Sequence, residues 1–163
     1  MKKKISLVIF IMMIVFSCKE KKDIINSPIS DTTNYVFDYA NMLSIAERDS
    51  INLKIRQFEL KTTNEIAVVT KDSIIENFLL YSVNLANRMG IGKKDKDNGL
   101  LILLVKNSRQ VRLNTGIGTE KILTDAICQD ITDYKMIPQF KNNEFYKGID
   151  DALDEIIIQW TID

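Results

Sequence analysis

The sequence predicts an α/β fold, a three-layer α/β/α sandwich with a small mixed β-sheet and helices on both faces. Three observations predict it. Two short apolar runs, EIAVVT at 65–70 and LLILLV at 100–105, flank a stretch of helical periodicity. A third run, QVRLN at 110–114, follows the second after a tight polar turn and alternates in character. Longer helical patterns stand before the first run and after the third.

The elements follow in order. Ser44 and Glu47 form a capping box, so the spacing predicts a helix over 45–61. Ile51, Ile55 and Phe58 share one stripe, while Leu53 and Leu60 point elsewhere, which predicts cover on more than one side. The β-branched run 65–70 reads as a buried strand. Ser73 and Glu76 form a second capping box, and Leu79, Val83 and Ala86 make the expected inward face of a helix that stops at Gly90. Residues 100–105 read as a second buried strand. Asn107 and Ser108 turn the chain into 110–114, a half-exposed antiparallel partner. A helix over about 124–134 follows, and the last helix carries Phe145, Ile149, Leu153, Ile156, Ile157 and Trp160 at core spacing. The order is α-β-α-β-β-α-α. A strand–helix–strand unit crosses over right-handed and leaves its strands parallel.

The first residues are not fold material. Three lysines precede an apolar run from Ile5 to Phe16, followed by Ser17 and Cys18. That is the charge and hydropathy pattern of an exported chain's leader, and the run is shorter than the ~20 residues of a spanning helix. Val15-Phe16-Ser17-Cys18 resembles a bacterial lipobox, in which the cysteine is lipidated and becomes the new N-terminus. The expected organisation is a lipoprotein signal peptide at 1–18, a polar tether at 19–33 and one domain at 34–163. The expected location is the bacterial cell envelope, on a membrane through lipid at Cys18.

Composition excludes several chemistries. Loss of Lys2, Lys3 and Lys4 leaves 19 basic against 22 acidic groups, net −3, with no basic excess for nucleic acid. The chain has no histidine, so it has no Ser-His-Asp triad, Cys-His pair or imidazole base. Zinc lacks a ligand set, and any metal must be a hard cation held by oxygens. Cys18 and Cys128 are the only cysteines, so there is no disulfide framework. Cys128 reads as a buried, inert thiol. A tyrosine-phosphatase loop would need an arginine where Tyr134 stands.

The stretch KKDKDNGLLILLV, from Lys93 to Val105, sets two carboxylates against a buried strand. The start of strand 100–105 and the end of strand 110–114 share one sheet edge, so their loops should meet there, together with Thr63 and Asn64. Asp95, Asp97, Asn98, Glu120 and Asp125 are then able to converge, with Gly99, Gly116 and Gly118 permitting close backbone approach. Such a cluster can supply the oxygens that calcium or magnesium needs. The alternative is that Asp97-Asn98-Gly99 is only a turn. It is not an EF-hand, since Lys106 occupies the place of the closing glutamate.

An ordered series of motifs resembles the TPM domain. VFDYANMLS at 36–44, EIAVVT at 65–70, Gly90-Ile91-Gly92, DNGLLILLV at 97–105, Arg112, GIGTE at 116–120, IPQFK at 137–141 and YKGI at 146–149 compose it. The resemblance implies an α/β/α sandwich, divalent-cation binding near the Asp-Asn-Gly loop, and a phosphatase label resting mainly on plant members. It makes Asp38, Asp97, Glu120 and Asp125 the matching acidic positions. Asp38 precedes the first helix and is expected at the opposite edge unless residues 38–44 run back over the sheet. Thr119 departs from the small residue frequent there. Two functions follow: a cation-ordered module contacting an envelope protein, which is favoured, or a metal-dependent phosphomonoesterase. The second has Arg88, Lys93, Lys94, Lys96 and Arg112 as phosphate clamps but no evident nucleophile.

Overall fold

The computed structural model describes residues 34–161. The expected leader and tether, with Cys18, lie outside the described residues. Four strands form one sheet in the order β1-β2-β3-β4. They are β1 (Val36–Asp38), β2 (Glu65–Lys71), β3 (Gly99–Val105) and β4 (Gln110–Thr115). β1, β2 and β3 are parallel, with Val36 opposite Val68 and Glu65 opposite Gly99. β4 returns antiparallel, with Leu100 opposite Thr115 and Val105 opposite Gln110. The expected strands are present, joined by β1, a fourth edge strand.

Alternation divides the sheet into two packed faces. Val36, Ile66, Val68, Leu100, Ile102 and Leu104 point to one side. There they meet Ile51, Ile55 and Phe58 of α1 (Ile45–Thr62) and Ile149, Leu153, Ile156 and Trp160 of α6 (Phe145–Thr161). Ala67, Val69, Leu101, Leu103 and Val105 point to the other side, where α2 (Phe78–Met89) covers them. The result is an α/β/α sandwich. Both parallel crossovers step the same way across the sheet, yet α1 and α2 lie on opposite faces. The two therefore have opposite hands, and one departs from the right-handed preference.

The Ser44 capping box forms as expected, its hydroxyl accepting from Glu47 N while Glu47 Oε2 accepts from Ser44 N at 2.7 Å. α1 is covered on one side only, not on several, since Leu53 and Leu60 stand in solvent. α2 starts later than the Ser73 box predicts: its cap is Asn77, which accepts from Leu80 N at 3.1 Å. The inward face turns with it. Phe78, Tyr81, Leu85, Ala86 and Met89 pack on the sheet, while Leu79 and Val83 are exposed. Gly90 ends the helix in the left-handed region at φ 63°.

After β4 come α3 (Ile117–Glu120) and α4 (Asp125–Ile131), then a π-helical turn over Thr132–Met136 and α5 (Ile137–Lys141). The helix expected to end near Tyr134 thus continues to Lys141. Pro138 has no N–H and its ring crowds the carbonyl four residues back, so the backbone widens there, and Ile137 N donates to Thr132 O. Among the described residues no helix is long and apolar enough to cross a membrane.

Candidate functional site

The loop from Ile91 to Asn98 runs between α2 and β3, at the edge where β2 and β3 begin. Buried Asn98 fixes it from below. Its Nδ2 donates to Thr63 O at 3.0 Å and Asn64 Oδ1 at 2.9 Å, while its Oδ1 accepts from Lys93 N at 2.8 Å. Glu65 accepts from Gly92 N at 2.7 Å and pairs with Lys93, whose ammonium also reaches Glu59 at 3.3 Å. The bonds from Glu65 and then Glu59 raise the Lys93 pKa above its ordinary range. Lys96 Nζ donates to Thr63 Oγ1 at 2.9 Å. The Thr63–Asn64 segment therefore does lie beside this loop.

From the other side, Gly116, Gly118 and α3 close down on the loop. Gly118 N donates to Asp97 O at 3.1 Å, and Gly116 N donates to Gly99 O at 2.8 Å. Thr119, fully buried, adds a hydroxyl bond to Gly99 O at 3.0 Å. A Cβ on Gly116 would overlap Asp97 O, and one on Gly118 would overlap Lys96 O. Gly99 is pressed as closely against Ile91 O. These contacts are what glycine permits and other residues do not. Asp97 itself takes the left-handed conformation, φ 48°, which aspartate tolerates better than most residues.

The structure thus brings the Asp97 backbone against Gly118, two residues ahead of Glu120. Asp97, Glu120, Asp95 and Asp125 all have exposed side chains. Glu120 and Asp125 share the neighbourhood of Cys128. Burial, then Asp125, push that thiol up to about 11, Arg112 opposes and Glu120 adds to it. Cys128 is buried and donates weakly to Leu123 O at 3.7 Å. Among the described residues, no three acidic or cysteine side chains form a group that could hold a metal ion unaided.

Asp38 is not part of this corner. It ends β1 opposite Thr70, near the carboxyl end of β2, while Asp97 precedes the start of β3. Its carboxylate accepts from Met42 N at 3.0 Å, Leu43 N at 3.0 Å and the buried Thr70 hydroxyl. Residues 38–44 turn tightly around that carboxylate and do not run back over the sheet. Several phosphate-clamp candidates are likewise engaged or remote. Lys93 is held by two glutamates, Arg112 Nε donates to Asn114 at 2.7 Å, and Arg88 lies over the Tyr81 ring.

Comparison with known proteins decides the family. The TPM domain profile matches residues 36–159. The chain belongs to the TPM domain family. A solution NMR structure of the N-terminal domain of a protein from P. gingivalis is 33% identical, with 80% of this chain and 83% of that one covered at a TM-score of 0.72. The BA42 protein of the psychrophilic bacterium Bizionia argentinensis shares the fold at 19% identity, covering 72% of this TPM protein and 81% of its own chain, TM-score 0.65. An N-terminal domain from Corynebacterium glutamicum does so at 18% identity, covering 82% and 83%, TM-score 0.62. Among curated proteins none matches.

Sequence reasoning had the glycines and Asn98 in the right place. It missed Glu59 and Glu65, which tie down Lys93, and Thr119, whose hydroxyl does what a smaller residue would not. The signal for Glu65 was its position at the first residue of a strand on the same edge.

Proposed function

We propose that this TPM domain is a binding or accessory module of the bacterial cell envelope. In this reading it is held to a membrane by lipid on Cys18 and takes a divalent cation, calcium or magnesium, at the Asp97 corner. The observation that supports the reading most is the backbone clamp between the Asp97 loop and Gly116–Gly118. It holds two acidic segments in a fixed relation, so one cation can bridge Asp97 and Glu120, with Asp125 at the next helix start. With no ready-made cage of three acidic groups, water completes the coordination shell. That is the habit of magnesium and of weak calcium modules, whose affinities lie at roughly 10⁻⁴–10⁻³ M. The cation would stiffen the loop presented to an envelope protein. Asp95 stays solvated, and Asp38 keeps its structural work.

The phosphomonoesterase reading has less support. Lys93 is held by Glu59 and Glu65, Lys96 bonds the Thr63 hydroxyl, Cys128 is a buried thiol, and no side chain at the corner stands as an activated nucleophile. Calorimetric titration of calcium and magnesium into the chain from Lys19 onward, beside the Asp97→Asn variant, tests the module. Binding in the parent that weakens several-fold in the variant supports it; equal binding in both contradicts it. Metal-dependent turnover of a phosphomonoester that is lost in Asp97→Asn would establish the enzyme instead.

A further inference from the structure

At the far end of β3 lies a cleft that the Asp97 corner does not use. Its volume is about 480 Å³, within the ~300–1,000 Å³ of ordinary ligand sites. Leu104 floors it beside the Val105 backbone at the strand end, and half-buried Met42, Ile137, Phe140 and Phe145 wall it. Ligands of open α/β sheets commonly sit outside the carboxyl ends of the strands, and this cleft lies at that end of β3. The six residue steps from Gly99 to Val105 put it about 20 Å from the Asp97 corner.

The charges around the cleft are one-sided. Lys106, Arg109 and Lys141 line it, with the amides of Gln110 and Asn143, and no carboxylate does. Elsewhere Lys54, Lys93, Lys135 and Lys147 each pair with aspartate or glutamate, Lys96 bonds the Thr63 hydroxyl and Lys71 lies over the Tyr39 ring. Among the described residues Arg109 and Lys141 form no ion pair, and Lys106 donates only to the Ala40 carbonyl, at 3.2 Å. Arg109 also holds a left-handed backbone, φ 51°, as does Asn143 at φ 60°. Glycine would suit Arg109's turn position better, and the arginine stands there with its charge uncompensated.

An apolar hollow ringed by three cations and two amides is complementary to a ligand with an oily body and an anionic head. We propose that the cleft binds a small soluble amphipathic anion, an alkyl or aryl carboxylate or phosphate ester. Its body lies among Met42, Phe140 and Phe145, and its head meets Lys106, Arg109 and Lys141. The site is independent of any cation at Asp97, so either can fail alone.

The test titrates octyl phosphate, octanoate, octanol and inorganic phosphate into the chain from Lys19, which keeps every residue of both cores, with amide shifts as the readout. Octyl phosphate and octanoate are expected to shift Leu104, Arg109, Phe140 and Phe145 at low-millimolar concentration. Octanol and inorganic phosphate, each with half the recognition, should bind about tenfold more weakly or worse, since a charged hydrogen bond contributes on that scale. Arg109→Gly combined with Lys141→Gln removes two cations and relieves the left-handed arginine. It should weaken both anions about tenfold, leave octanol unchanged and not lower the melting temperature. Equal binding of octanol and octyl phosphate would overturn the proposal, as would inorganic phosphate matching octyl phosphate. So would a double variant that binds as the parent does, or binding to anionic lipid vesicles with no response to octyl phosphate.

Discussion

Gly118→Ala asks most of the clamp that joins the two loops. The added methyl would overlap the Lys96 carbonyl oxygen, with Asp97 O at 3.2 Å behind it. Something must move, and the element that can is the Lys93–Asn98 loop. Overpacking of this kind costs about 1–3 kcal/mol. Displacing the loop also strains the Gly118 N–Asp97 O bond of 3.1 Å, for about another 0.5–1.5 kcal/mol. The expected loss is therefore about 1.5–4.5 kcal/mol, or about 10 °C in melting temperature for a domain of this size. Gly90→Ala is the internal control. Gly90 has a left-handed backbone but nothing within 4 Å of the new methyl, so only about 1 kcal/mol of conformational cost applies. Urea unfolding at constant slope measures both. If Gly118→Ala costs no more than Gly90→Ala, the loops are not clamped and the bridging geometry proposed for a cation fails with them.

The remaining expectations concern other parts of the fold. Asp38→Asn should cost about 1–3 kcal/mol in urea unfolding, because an amide NH2 would face a backbone donor or the Thr70 hydroxyl. Asp97→Asn, on an exposed carboxylate, should stay within about 0.5 kcal/mol. In a chain lacking Cys18, a thiol reagent should label Cys128 about a hundredfold more slowly in the native state than in urea, since its pKa rises from 9.0 to about 11. Labelling at equal rates would show the helix corner to be open. Burial works against the charge on Lys54, but Asp150 and Asp154 outweigh it and raise its pKa above 10.5. A raised cation stabilises the fold fully below 10.5 and loses that contribution as pH climbs through the folded value. The deficit of Lys54→Met against the parent, read by urea unfolding, should therefore be constant near neutrality and shrink above that pH.

The layered architecture was legible because its strands are strongly typed. Seven consecutive buried residues in β3 and the alternation of β4 leave little room for another reading. β1 escaped because three residues give no period, and only Val36 of them is fully buried. The α2 face was misjudged for a different reason. Apolar side chains surround that helix, so Leu79, Leu80 and Val83 compose as good a stripe as Phe78, Tyr81 and Leu85. A serine–glutamate pair upstream then suggested the wrong start. Only tertiary packing selects between the stripes, since the sheet offers α2 one face. At the candidate site, shared-edge reasoning brought the Asp97 loop and Gly116–Gly118 together, because strand direction alone decides which loops meet. The pairing of Glu59 and Glu65 with Lys93 was missed, since it depends on side-chain reach across 34 and 28 residues of sequence, and only Glu65 signalled its place, by starting a strand on that edge. Asp38 was separated by the same directional logic: it precedes α1, which runs antiparallel to β2, and the structure puts it at that far end, opposite Thr70.

The proposed cation would join the Asp97 loop to the segment that follows β4. The most direct measurement follows backbone amide shifts during calcium and magnesium titration of the chain from Lys19. Saturable shifts in the millimolar range are expected at Lys96, Asp97, Gly118, Glu120 and Asp125, with Met42 and Leu43 beside Asp38 unmoved. Shifts centred on Asp38, or none at millimolar cation, would contradict it.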